Sequence, residues 1–172
     1  MGLKFVGQFK FISWHGKLLQ SHTDGEMHAS QDHDNVGDEE RWNVHVWDDG
    51  RISLSNYRTN SWLCAEPSGR AICDRAKPAS WEQWTLHTVG DGLNIALKST
   101  HNKFLCAQPP GQNTDFGGEV IADRSVCQEW ERFSMVQSAA DKPANQSWWN
   151  DVSAAVNVAK EIAPLLIAVA GA

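Results

Sequence analysis

Apolar and polar residues alternate along this chain in short runs. "RISLS" (51–55) and "LNIALKS" (93–99) show a period of two, as expected of strands with one buried face. Gly, Pro, Asn and Asp separate such runs in "VWDDGR", "EPSGR" and "QPPGQNTDFGG". Helical periodicity is absent before residue 145. The pattern therefore predicts an all-β body followed by a different kind of tail.

The strand pattern is repeated three times. "HGKLLQS" (15–21), "TNSWLCA" (59–65) and "HNKFLCA" (101–107) align, placing Leu18, Trp62 and Phe104 together, then Leu19, Leu63 and Leu105. "GEMHAS" (25–30), "GRAICD" (69–74) and "GEVIAD" (118–123) follow. Each opens on a glycine, where a hairpin turn calls for positive φ. "EERWNVHV" (39–46), "WEQWTLHT" (81–88) and "WERFSMV" (130–136) close the units. A period of roughly 40–50 residues belongs to repeat architectures. The repeats run from about 5 to 47, 48 to 89 and 90 to 137, within a domain spanning 1–137.

Three units of about four strands make twelve. A closed barrel capped by hairpins buries them without leaving open edges. Each repeat would then supply the same layers of one core. Leu19, Leu63 and Leu105 form one layer; Trp42, Trp84 and Phe133 form another. Met27, Ala71 and Val120 lie beside Ala29, Cys73 and Ala122. Trp62 is expected to be buried, and Trp81 and Trp130 half-buried.

The stretch "GLNIALKSTHNKFLCA", followed by "GEVIADR" and "WERF", resembles the repeat of fascin-like and hisactophilin-like β-trefoils. The resemblance covers about residues 5–137, most closely in repeats two and three. It implies a β-trefoil and two ligand classes, actin filaments and glycans. Ricin-type trefoils instead end each repeat in Gln-x-Trp. The triplets here are Glu40-Arg41-Trp42, Glu82-Gln83-Trp84 and Glu131-Arg132-Phe133, which do not fit.

Charge narrows the partners. The 172 residues carry a net charge of −6, and no basic face for nucleic acid is evident. The same charge weighs against actin, itself an acidic surface. No apolar signal-peptide core opens the sequence, so a cytoplasmic protein, or one released without a signal peptide, is expected. Cys64, Cys73, Cys106 and Cys127 then read as free thiols without metal spacing.

No catalytic motif is found, and histidines such as His15 and His101, or His45 and His87, recur by repeat rather than forming one constellation. A non-enzymatic binding module without a cofactor is expected. In "DHDNVGDEE" (32–40), Asp32, Asp34 and Gly37 match calcium-loop positions, but Val36 and Asn43 fall where carboxylate ligands belong. It reads as a solvated acidic loop, so no metal is expected.

Four of the nine tryptophans, Trp14, Trp47, Trp148 and Trp149, have no counterpart in other repeats. Trp14 and Trp47 are candidate sugar-stacking platforms. Asp74 and Asp123, each followed by Arg, are secondary candidates whose plainer reading is a local ion pair. Trp and Asn/Asp-rich loops favour a lectin-like carbohydrate binder.

A polar linker (138–147) leads to a predicted amphipathic helix (148–172) with Ser147 as N-cap. Trp148, Trp149, Val152, Val156, Ile162 and Leu166 are its candidate contacts, either with a second copy or with a membrane surface. The apolar run past Ile162 is far short of the roughly 20 residues that span a bilayer. A membrane-active protein with a trefoil targeting head and this tail as effector is the other class of function.

Overall fold

The structure, a computed structural model, describes residues 2–32, 37–89, 94–109 and 118–137. The linker and tail candidates Trp148, Trp149, Val152, Val156, Ile162 and Leu166 lie outside these residues. The described body is all-β.

Six strands form a barrel: β1 (Leu3–Ser13), β4 (Trp42–Trp47), β5 (Ile52–Asn56), β8 (Trp84–Val89), β9 (Asn94–Ser99) and β12 (Phe133–Gln137). They pair in that order, and β12 pairs with β1, so the sheet closes and leaves no barrel edge. The other six make three hairpins. These are β2 (Lys17–Ser21) with β3 (Met27–Asp32), β6 (Trp62–Ala65) with β7 (Ala71–Arg75), and β10 (Phe104–Ala107) with β11 (Gly118–Arg124). The hairpins meet cyclically: Glu26 bridges Ile72, Arg70 bridges Ile121, and Gly118 pairs with Ala29.

The repeated phrases occupy equivalent places. Leu19, Leu63 and Leu105 are fully buried, as are Trp42 and Trp84, with Phe133 nearly so. Trp42 Nε1 donates to the Leu19 carbonyl at 3.0 Å, and Trp84 Nε1 to the Leu63 carbonyl at 3.2 Å. Each core tryptophan therefore ties its closing strand to its own hairpin. Phe133 has no such donor.

The glutamate before the closing aromatic also has a structural task. Glu40, Glu82 and Glu131 are buried at the ends of the 3-10 turns Asp38–Glu40, Ser80–Glu82 and Glu129–Glu131. Their carboxylates accept the backbone N–H of Gly37 (2.9 Å), Ala79 (3.0 Å) and Gln128 (3.4 Å). This satisfies an N–H that the turn leaves without a backbone partner.

Two expectations change in detail. Gly25 and Gly69 have φ of +93° and +96°, as their turns require, but Gly118 does not share that conformation. It begins β11, and a Cβ there would lie 1.9 Å from the Gln108 carbonyl oxygen; close backbone approach selects this glycine. Trp62 is half-buried rather than buried. Its ring lies on the outer surface of the barrel, 4.9 Å from the ring of His45, while the aligned Leu18 is fully buried.

Candidate functional site

The 3-10 turns are where the repeats stop being alike. In the second and third repeats the turn presents a tryptophan, Trp81 (38% exposed) and Trp130 (37%). Each meets a histidine from another repeat. The Trp81 ring lies edge-on to His101 at 5.6 Å, and the Trp130 ring edge-on to His15 at 5.6 Å. His101 is fixed by a 2.9 Å hydrogen bond between Nε2 and the Ala65 carbonyl. Burial lowers the His15 pKa, and a contact with Ala107 opposes that shift. Burial thus favours the neutral imidazole of His15 beside Trp130.

The first repeat has Glu39 at this position. Glu39 Oε2 accepts from Gln20 Nε2 at 3.0 Å, and Oε1 pairs with Arg58 at 3.5 Å. Its place is therefore filled by a polar network rather than by an aromatic face.

Only one of the three described places combines the turn tryptophan with a second indole. Trp14 immediately precedes His15 and is 47% exposed. The Arg132 guanidinium lies 5.9 Å from the Trp14 ring centroid, within cation–π range. At the positions equivalent to Trp14 stand Arg58 and Thr100; at those equivalent to Arg132 stand Arg41 and Gln83. Beside Trp130 opens a cleft of about 570 Å³, lined by Arg124, Gln128, Glu129, Glu131, Arg132 and Cys127. Burial, then Glu131, pushes the Cys127 thiol up, so it stays protonated and weakly nucleophilic at neutral pH.

The other sequence candidates lie elsewhere. Trp47 pairs with Leu3 at the opposite end of β1 from Trp14, roughly 30 Å away at the usual rise per strand residue. It is half-buried, and its Nε1 donates to Ser53 Oγ at 2.7 Å, which donates in turn to the Glu82 carbonyl at 2.7 Å. Trp47 is thus tied to the neighbouring strand by its indole N–H. Asp74 and Asp123 sit at the hairpin cap, against Gly25 and Gly69 of neighbouring hairpins. Asp74 is ion-paired with Arg75, and Asp123 with Arg124 at 3.5 Å.

Trp130 was not singled out in the sequence. The alignment paired Trp81 with Trp130 and His15 with His101, but contacts between repeats do not appear in an alignment of repeats. Among the described residues no group of three or more His, Cys, Asp or Glu could hold a metal ion. Asn43, at the end of the calcium-like count, lies within β4 opposite Ser55.

No family model and no curated protein matches this chain. Solved structures do. A designed threefold-symmetric protein, ThreeFoil, is 22% identical, with 77% of this chain and 99% of that one covered and a TM-score of 0.64. The fold is a β-trefoil. The Haemophilus ducreyi cytolethal distending toxin is 13% identical, with 75% and 82% covered and a TM-score of 0.62. A mosquitocidal holotoxin is 13% identical; the match covers 81% of this chain but 17% of that one, with a TM-score of 0.64. At these identities the likeness is one of fold, and fold alone does not assign a ligand. The resemblance to fascin-like and hisactophilin-like repeats rests on the sequence motifs.

Proposed function

We propose that this trefoil is a non-catalytic, lectin-like binding module that takes carbohydrate in the third-repeat cleft. The observation that carries the reading is the exposed Trp130 at a cleft flanked by planar polar side chains, one of which, Arg132, lies over the Trp14 ring. Pyranose rings present C–H faces that stack on indoles and hydroxyls that need planar donors and acceptors. Gln128, Glu129 and Arg132 supply these within one turn. The threefold fold repeats its core but not this combination, as expected of a function added to a scaffold.

Two other readings rest on sequence. The fascin/hisactophilin resemblance supports actin binding, which the net charge of −6 disfavours. The apolar tail with Trp148 and Trp149 supports a membrane-active protein that uses the trefoil as its targeting head, and two of the fold's neighbours are toxins.

The test is a glycan panel probed with the full chain, alongside actin co-sedimentation and dye release from liposomes. Saturable binding to a subset of glycans supports the lectin reading. Co-sedimentation or dye release without glycan binding rejects it.

A further inference from the structure

The cleft carries a charge pattern unlike the rest of this acidic molecule. Glu131 is buried and committed to the Gln128 N–H. Arg124 is paired with Asp123, which leaves Arg132 and the exposed Glu129 as the remaining charges of the cleft. Arg51, Arg58, Arg70, Arg75 and Arg124 each have a carboxylate partner. Arg132 and its first-repeat equivalent Arg41 have none among the described residues, and the Nε of each is buried without a hydrogen bond there; of the two, Arg132 is the one beside a turn tryptophan, Trp130. Its guanidinium lies over the Trp14 ring at 5.9 Å from the centroid, a cation–π contact that does not use its N–H donors. A stacked, unpaired guanidinium beside an exposed indole is suited to a ring that bears a carboxylate. The indole takes the ring face, and the fork takes the two oxygens.

We infer that the third-repeat cleft selects carboxylate-bearing sugars, with Trp130 as the stacking platform and Arg132 as the carboxylate ligand. This rests on the carbohydrate reading above and narrows it to a ligand class. The equivalent places exclude such a ligand for visible reasons. At the second repeat Gln83 and Thr100 replace the arginine and the second indole. At the first, Glu39 and Arg58 stand where the two indoles would be and pair with each other, so no aromatic face is offered to a ring.

The experiment uses the full chain and immobilised oligosaccharides ending in sialic acid or a uronic acid. Beside them stand the same oligosaccharides with the carboxyl group as its methyl ester. The acid form should bind about tenfold or more tightly than the ester. Arg132→Gln should abolish the difference, so that acid and ester bind with the same affinity. Gln83 already occupies the equivalent position in the second repeat, so the substitution suits the fold. Glu129→Gln should strengthen acid binding by removing a repulsive charge, an effect that a merely structural role would not produce. Equal binding of acid and ester, or a preference that survives Arg132→Gln, overturns the inference. Binding confined to neutral glycans overturns it and leaves the carbohydrate reading intact. Binding to no glycan removes both.

Discussion

Leu63 and Leu105 are buried at the same depth in two repeats, with no exposed surface. Leu63→Ala and Leu105→Ala should each destabilise the protein by about 2–5 kcal/mol, the transfer term plus the cavity left behind. Denaturant midpoints unchanged in both would remove the core assignment. Gly118 makes a sharper case, because an added methyl would collide with the Gln108 carbonyl oxygen, which is backbone and cannot swing aside. Gly118→Ala should cost about 1–3 kcal/mol or more. These residues were legible in sequence because three copies of a phrase reveal which positions share an environment. The reason for Gly118 was not legible. The same letter at Gly25 and Gly69 answers to positive φ, whereas here it answers to a neighbouring strand.

The Trp-Glu-x-aromatic phrase becomes an element: a 3-10 turn closed by its own glutamate and pinned beneath by a core aromatic. Glu82→Ala should leave the Ala79 N–H without its acceptor and cost about 1–3 kcal/mol, measured by urea denaturation. An unchanged midpoint would show that solvent replaces the carboxylate at no cost. The strands and the three repeats could be read from alternation and spacing. The site could be read only in part. Trp14 stood out because symmetry does not explain it, and its ring lies under the guanidinium of Arg132, a residue that lines the cleft. Trp47 stood out for the same reason, yet its indole N–H is engaged with Ser53 at the far end of β1. Trp130 was hidden by having a counterpart, since its distinction lies in Arg132, two residues on, and in the Trp14 that another segment brings to that arginine.

At the scale of the molecule, burial places several histidines between repeats or strands in neutral form. Desolvation lowers the pKa of His15, His28, His45 and His87 below 6.5. At His28 the neighbouring His22 lowers it further, while Glu26, Asp24 and Glu119 oppose the shift. The unfolded chain binds these protons more readily, so stability is complete above about pH 6.5 and declines as pH falls through the lower folded values. Glu40, raised by burial, acts in the opposite sense near its ordinary value of 4.5. The urea midpoint should therefore be lower at pH 5.5 than at pH 7.5, and an equal or higher midpoint would contradict the neutral-histidine account. The barrel closes through β12, which ends at Gln137. Deleting 146–172 should leave the far-ultraviolet circular dichroism intact. It should change either oligomer mass or dye release from liposomes. Loss of the β signal would make the tail part of the core.

If one of the three threefold-related places is the binding site, a paired substitution at two of them separates it from its equivalent. Trp81 and Trp130 have nearly the same exposure and the same histidine contact. Their stability costs should be alike, and only Trp130 has Trp14 and Arg132 beside it. The measurement is the calorimetric affinity of Trp81→Ala and Trp130→Ala for the tightest-binding oligosaccharide of the panel. Loss of one stacking platform should weaken Trp130→Ala by roughly tenfold or more, with Trp81→Ala unchanged. Equal affinities in the two variants, or a loss confined to Trp81→Ala, would contradict a third-repeat site.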